Sequence, residues 1–583
     1  MPAFPTMTYQ NIYQLFREQT AKYRGKLVFY SRENDIWKSR NWEDFEEQVH
    51  DFACALLAKN LTRGASVAIL AGNVSEWAIA DIATIAAGGV GVGIYPTSSK
   101  EQCAFIINHS DAEFVVVDTQ KQLEKIIDND EPMPKLKQII CVEERQEFSF
   151  EAVADEKKLF WKFNSVEVKE VPIIQYQDFL AFGKQNREEF LPKIEEIGFN
   201  AKPEDTAIMV YTSGTTGEPK GAMLSHEYIL NSCESLRQTI PIYDTDVCFS
   251  YLPFCHVAER ISGLYNRLLS GTSVYFVNDL TKLYAYMLEV KPTVFASLPR
   301  FFEKIYAKVV SENGKAVDAR KVKDAFGGDI RLATSGGAPL PNEIADFFAR
   351  NDLPILQAYG LTENICVAFN RADDFKFGTV GKPMPMCEVK IADDGEILIK
   401  SSMMFSGYYK EPEKTAEMFD KNGWLKTGDL GSLDADGFLK IVGRKKEIIV
   451  LSSGKNVAPT LLENFLKENH LISQAFVCGD GKSYLVALIT LNQTEAEAFA
   501  RASKIEFENY ADLTRNERIF QSVKDTIELT NARVSSSEQI KRFIILERDF
   551  QSESGEVTPT LKLKRNVVAK NFSKIIEKLY GEM

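Results

Sequence analysis

The stretch YTSGTTGEPKGAMLSH, Tyr211 to His226, gathers glycines, hydroxyls and a lysine into one short loop. Gly214, Gly217 and Gly221 permit tight turns and close approach of the backbone to a bulky anion. Thr212, Ser213, Thr215 and Thr216 add hydroxyl donors, and Lys220 adds a fixed positive charge. Backbone N–H groups in such a nest can point at phosphate oxygens, so the loop suits a polyphosphate; the alternative is an ordinary polar hairpin turn. It is not the P-loop G-x-x-x-x-G-K-[ST]. Lys220 is followed by Gly221, so the hydroxyl that would hold magnesium is missing.

Further stretches add chemistry of a compatible kind. SGGAPL (Ser335 to Leu340) is a glycine turn that could admit a flat purine beside the backbone. QAYGLTEN (Gln357 to Asn364) puts an aromatic, a glycine, a hydroxyl and a carboxylate close together. GWLKTGDLG (Gly423 to Gly431) carries Asp429, suited to accept hydrogen bonds from two ribose hydroxyls. GRKKEIIVLSSGKNVAP supplies basic charge and glycines.

These residues need a scaffold. TAIMV before the opening loop reads as a buried strand, and AMLS after it as a strand leading into the helical pattern HEYILNSCESLRQ. WEDFEEQVHDFACALLAKN is amphipathic at helical spacing, while SVAILAG and AEFVVVD read as buried parallel strands of βαβ units. TVFASLP and IRLATSGGAPL are strands running into loops, where open α/β sheets place ligands. WAIADIATIAAGGVGVGIYP is apolar enough to suggest a membrane span, but Asp81 and the pair Gly88 and Gly89 favour a buried helix, a turn and a buried strand. Past Lys445 the texture changes to a helix and a hairpin of strands, a separate small α+β unit.

At 583 residues the chain exceeds what one core organises, and at least two domains are expected. With 45% hydrophobic and 26% charged residues its composition is that of a soluble globular protein. The net charge of -13 leaves no basic excess for neutralising a nucleic-acid backbone, which argues against nucleic acid as a partner. No secretory signal is visible, and 9 cysteines without a C-x-x-C pair do not suggest a disulfide framework, so a reduced, cytoplasmic protein is expected. With 5 histidines, none in close pairs, a zinc site is not expected. Peripheral membrane contact and oligomeric state are left open.

Together and in this order, the quoted stretches resemble the adenylate-forming (AMP-binding) superfamily of acyl-CoA synthetases, luciferases and nonribosomal peptide adenylation domains. The resemblance covers nearly the whole chain. YLPFCHVAERISGLY (Tyr251 to Tyr265) and TPTLKLKRN (Thr558 to Asn566) look most like the long-chain fatty acyl-CoA synthetase branch. The resemblance implies an α/β fold: a large N-terminal domain, 1–444, of mixed, largely parallel sheets flanked by helices, and a small mobile C-terminal α+β lid, 445–583.

It also implies roles. The opening loop, Thr212, Ser213, Gly214, Thr215, Thr216, Gly217 and Lys220, would clamp the β- and γ-phosphates of ATP. Gly336, Gly337 and Ala338 would border adenine, and Tyr359, beside Gly360, would stack on it. Asp429 would take the ribose hydroxyls, assisted by Arg444. Thr362 would touch the α-phosphate, and Glu363, with Thr215, would ligate Mg²⁺; the alternative for Glu363 is a solvated loop carboxylate. Lys562 would bridge the fatty carboxylate and the α-phosphate. Many members of the superfamily place a glycine before this lysine where Leu561 stands here, and Lys564 is a rival by spacing. Lys446 matches the hinge position, and Gly454 matches the glycine beside the pantetheine passage. His256 matches a position between that passage and the acyl pocket, where a structural and a gating role are both open.

The implied reaction is ligation of a long-chain fatty acid to coenzyme A through an acyl-adenylate, releasing pyrophosphate and AMP. A fatty acyl-AMP ligase and an aryl- or medium-chain acyl-CoA ligase are the alternatives. A non-catalytic nucleotide-binding protein would be expected to have lost Glu363, Asp429 or Lys562.

Overall fold

A computed structural model of the chain describes residues 9–129, 131–143, 157–159, 171–212, 218–314, 317–551, 554–558 and 562–581. Two nine-stranded sheets dominate. In one, the parallel strands Thr206–Thr212, Val90–Ile94, Ser66–Leu70, Ala112–Val117, Gln138–Cys141 and Val171–Gln175 lie side by side, with antiparallel strands at both edges. In the other, Ile355–Leu361, Leu332–Ser335, Val294–Ser297, Val247–Ser250, Ser273–Phe276 and Leu27–Glu33 form the parallel run. The expected mixed, largely parallel sheets flanked by helices are what the chain forms.

The apolar stretch around Asp81 folds as the helix Ser75–Ala86, a turn at Gly88, and the strand Val90–Ile94. The helix is buried on almost every side, as its composition requires. Asp81 is fully buried and tolerable there because Arg260, also fully buried, pairs with it through Nε and Nη2, while the Tyr265 hydroxyl donates to Oδ2 at 2.7 Å. Arg260 and Tyr265 lie on one helical turn system, Ala258–Tyr265, wound wider than an α-helix. Among the described residues no helix is long and apolar enough to cross a membrane.

An antiparallel four-stranded sheet follows, formed by Cys387–Ile391, Glu396–Ser401, Leu425–Leu433 and Leu439–Arg444. The turn Lys445–Glu447 separates it from the remaining elements. Beyond the turn, the helix Pro459–Leu466 packs on the antiparallel pair Ile472–Cys478 and Leu485–Leu491, which Ile540–Ile545 joins in parallel. This region buries its own apolar cluster, from Ile449 to Ile545, as a second domain must. Lys445 reaches back to Asp394 at 2.6 Å and Glu396 at 2.7 Å, and Arg300 donates to the His470 carbonyl at 3.2 Å.

Burial has a consequence for acid stability. His226 is buried at the start of the helix His226–Thr239, where Nδ1 accepts from the Ile12 N–H at 3.2 Å. Desolvation pushes its pKa down to about 4. Between that value and the ordinary value near 6.5 the unfolded chain binds a proton that the folded chain refuses, so stability falls as pH drops through this window. His226→Gln is expected to flatten the loss by about 1 kcal/mol per pH unit, read from urea unfolding at pH 6.5, 5.5 and 4.5. Parallel curves for the two proteins would contradict this.

Candidate active site

Thr362 and Glu363 form the two-residue tip of a β-hairpin, because Leu361 pairs directly with Asn364. The strand into the tip is irregular between Tyr359 and Leu361, and Gly360 is required there: a Cβ would lie 2.0 Å from the Ile365 carbonyl oxygen. Tyr228 staples the tip from below, its hydroxyl donating to the Thr362 carbonyl and accepting from the Ile365 N–H, each at 3.0 Å. The Phe405 N–H donates to the Glu363 carbonyl at 2.9 Å. The Glu363 side chain is buried, and the Tyr408 hydroxyl donates to its Oε1.

The turn holding Gly336, Gly337 and Ala338 leaves the end of the strand Leu332–Ser335, and Gly337 takes a φ of 77°. It is tied to the same hairpin, since the Leu340 N–H donates to Gln357 Oε1 at 3.0 Å. The two stretches that sequence offered for a purine therefore lie side by side, on and after two neighbouring parallel strands.

Asp429 and Arg444 face each other across the antiparallel strands Leu425–Leu433 and Leu439–Arg444. Arg444 Nε lies 2.9 Å from Asp429 Oδ1, and the Tyr359 hydroxyl donates to Oδ2 at 2.5 Å. Burial pushes the Asp429 carboxyl above its usual range, opposed by Arg444, the Tyr359 hydroxyl and Lys562. Lys562 is tied to Thr558, its N–H donating to Thr558 Oγ1 at 3.1 Å and its carbonyl accepting from the Thr558 N–H at 2.8 Å. Desolvation in the cleft pushes its ammonium below the usual lysine range, with Arg444 adding and Asp429 and Glu447 opposing.

His256 belongs to the same cluster. Burial, then the charge of Lys562, lowers its pKa to about 4, so the ring is neutral at pH 7. Its Nδ1 accepts from the Ala258 N–H at 3.1 Å, which leaves the proton on Nε2. The lysine whose charge acts on both Asp429 and His256 is Lys562.

Lys220 and Thr212 pair across the antiparallel strands on either side of the phosphate-type loop, and the Lys220 ammonium sits 4.8 Å from the centre of the Tyr408 ring. Ser213, Gly214, Thr215, Thr216 and Gly217 lie outside the described residues, as does Leu561. Lys446 is exposed in the turn Lys445–Glu447, and Gly454 is exposed at a hairpin tip with a φ of 77°. Sequence reasoning missed Tyr408, Tyr228 and the Lys445 clasp. The one signal for Tyr408 was an aromatic pair, GYYKEP, ahead of a helix start.

Against known proteins, residues 16–409 match the family model described as AMP-binding enzyme, and 446–583 match AMP-binding enzyme C-terminal domain. The chain belongs to the AMP-binding enzyme family. Among its relatives in that family, the long-chain-fatty-acid–CoA ligase FadD15 of Mycobacterium bovis is 32% identical, covering 95% of this chain and 94% of that protein. The human long-chain-fatty-acid–CoA ligase ACSBG1 is 30% identical over 100% of this chain and 86% of its own length. The fold of this AMP-binding enzyme is shared with the adenylation domain of a carboxylate reductase from Mycobacterium chelonae, with a TM-score of 0.75 at 22% identity over 99% of this chain and 92% of that one. It is shared also with ATP-bound MatB from Rhodopseudomonas palustris, with a TM-score of 0.71 at 20% identity over 97% and 99% of the two chains.

Magnesium fits the donor set. Among the described residues no group of three or more His, Cys, Asp or Glu could hold a metal. Mg²⁺ characteristically takes only one or two protein carboxylates and fills its octahedron with water and substrate phosphates. Glu363 offers one buried carboxylate on a rigid tip, with Oε1 bound by a neutral hydroxyl. Glu363→Gln keeps shape and one acceptor but loses the charge. It is expected to raise the Mg²⁺ needed for half-maximal turnover by roughly tenfold or more, the scale of one lost charge-assisted contact. Unchanged turnover at sub-millimolar Mg²⁺ would remove Glu363 from this role.

Proposed function

We propose that this chain ligates a long-chain fatty acid to coenzyme A through an acyl-adenylate, with release of pyrophosphate and AMP. The observation that carries this reading is the Asp429 cluster, where Arg444 and the Tyr359 hydroxyl hold the carboxylate and the charge of Lys562, from beyond the Lys445–Glu447 turn, bears on it and on His256. The relatives named as long-chain-fatty-acid–CoA ligases, aligned over nearly the whole chain, support the substrate class.

A carboxylate cannot condense with a thiol directly, because its leaving group would be oxide. The fatty carboxylate therefore attacks the α-phosphate of ATP, forming the C–O–P link of the adenylate and breaking the link to pyrophosphate. Both reactants are anions, so the site must offset their repulsion while holding them in line. Lys562 serves this at the reacting atoms, Thr362 touches the α-phosphate, and Lys220 with the hydroxyls and glycines of its loop holds the outgoing phosphates. Asp429, assisted by Arg444, holds the ribose, and Gly336, Gly337, Ala338 and Tyr359 border the base. Mg²⁺, when bound at Glu363 and Thr215, supplies further charge neutralisation. The coenzyme A thiol then attacks the acyl carbon, its proton passes to solvent, and AMP leaves.

The mixed anhydride is hydrolysable, so water is kept out between steps by the C-terminal unit, 445–583, acting as a lid on the N-terminal unit, 1–444. Lys446 at the turn is the pivot, Gly454 borders the pantetheine passage in the second pose, and neutral His256 lies between acyl group and passage. The protein works in the cytoplasm on fatty acid, ATP and coenzyme A. Pyrophosphate release with ATP and palmitate, measured with and without coenzyme A, tests the reading. Stimulation by coenzyme A is expected; a burst of one equivalent that coenzyme A fails to extend would favour an acyl-AMP ligase. A panel of acids from C2 to C18 tests the chain class, since apolar pockets discriminate single methylenes by only about 1–3 kcal/mol.

A further inference from the structure

Between the lysine assigned to phosphate and the carboxylate assigned to metal stands a tyrosine that neither role uses. Gly407–Tyr408 adds as an edge strand to Lys220–Ser225, with Ala222 opposite Tyr408. This places the phenol ring beside the base of the phosphate-type loop. Its hydroxyl donates to Glu363 Oε1, and its face carries the Lys220 ammonium 4.8 Å from the ring centre.

The ring is held from several sides. Tyr408 is 5% exposed, its N–H donates to Thr415 Oγ1 at 2.8 Å, and Phe405 packs edge-on at 4.9 Å between centroids. Phe405 also donates its N–H to the Glu363 carbonyl, so one short segment fixes both the backbone and the side chain of Glu363. The phenol hydroxyl is the donor in its contact with Glu363 Oε1.

We propose that Tyr408 is a positioning residue that fixes Glu363 with one oxygen free for the cation and, by its ring, keeps Lys220 and Glu363 from pairing with each other. A lysine and a carboxylate left facing one another in a half-closed cleft attract strongly. That pair would neutralise both charges the polyphosphate site needs. The aromatic face accepts the ammonium without neutralising it, and the hydroxyl satisfies Oε1 without adding charge. The inference rests on the metal reading of Glu363 and the phosphate reading of Lys220.

The experiment is calorimetric ATP binding to the full chain, without fatty acid, across a Mg²⁺ titration and in EDTA. Tyr408→Phe keeps the ring and loses the hydroxyl. It is expected to raise the Mg²⁺ midpoint of ATP binding about tenfold while leaving metal-free ATP binding unchanged. Tyr408→Leu loses the partition as well, and its metal-free ATP binding is expected to weaken about tenfold. Adding Glu363→Gln to Tyr408→Leu is expected to restore metal-free binding, because Lys220 then has no carboxylate to pair with; general damage to the fold would not be repaired this way. If Glu363→Gln alone shifts the Mg²⁺ midpoint and Tyr408→Phe does not, the role of the hydroxyl is overturned. If Tyr408→Leu is not rescued, the partition is overturned. If Glu363→Gln alone shifts nothing, the metal reading fails and takes the proposal with it.

Discussion

Lys562→Ala is expected to lower acyl-adenylate formation by about 10²–10³-fold, the effect of removing one preorganised stabiliser of developing charge. The same protein is expected to convert supplied acyl-adenylate and coenzyme A to product at close to the normal rate. The asymmetry follows from placement. The charge of Lys562 bears on Asp429 from the far side of the Lys445–Glu447 turn, and on the proposed lid reading it would be present only while the two parts hold this arrangement. Hydroxylamine trapping reads the first half-reaction and thioester formation reads the second. Gly454→Trp is the complementary arm, expected to form adenylate and stall at thiol attack. Among the described residues nothing lies within 4 Å of where a Cβ on Gly454 would sit, although its φ of 77° makes a melting curve a necessary control. Lys564→Ala is expected to be mild. Equal slowing of both half-reactions by Lys562→Ala would refute alternation of the lid, and arrest by Lys564→Ala would transfer the role to that lysine.

Asp429→Ala is expected to weaken ATP and AMP together, because the ribose is common to both, and to leave pyrophosphate binding alone. Two hydrogen bonds to a charged acceptor, at roughly 1.5–3 kcal/mol each, correspond to about 10²–10⁴-fold in affinity. The structure adds a reason for the upper part of that range. Asp429 also holds Arg444 and Tyr359, so alanine releases two neighbours of the nucleotide along with the acceptor. Asp429→Asn keeps more of that scaffold and is expected to lose less. An unchanged affinity for AMP in the alanine variant would refute the ribose role.

Much of this was legible in the sequence because it is local. The strands Thr206–Thr212 and Lys220–Ser225 and the helix His226–Thr239 follow from apolar runs and helical spacing within a few positions of each other. The buried helix at Asp81 was legible for the same reason, from one charge and a glycine pair set in an apolar run. That QAYGLTEN folds as a hairpin with Thr362 and Glu363 at its tip was not, since the tip lacks the Asn-Gly or Asp-Gly chemistry that announces such turns. The partners that hold the site are remote: Tyr408 is 45 residues from Glu363, and Arg260 is 179 from Asp81. One sequence contains no register between strands that far apart, so these contacts surfaced only with the fold.

The clasp between Lys445 and the pair Asp394 and Glu396 ties motion to charge. Glu396 is buried, accepts from the Gly428 N–H at 3.0 Å through its other oxygen, and acts as a like charge on Asp429, the residue after Gly428. Any swing that carries Lys445 away leaves these carboxylates without that countercharge behind the strand bearing Asp429. If the proposed lid rotation does carry Lys445 away, the local potential would turn more negative, and a negative floor repels an anionic nucleotide. Rotation of the lid would thereby loosen the hold on AMP as it opens the way for the thiol, so that product departure is coupled to the same movement that admits the next reactant.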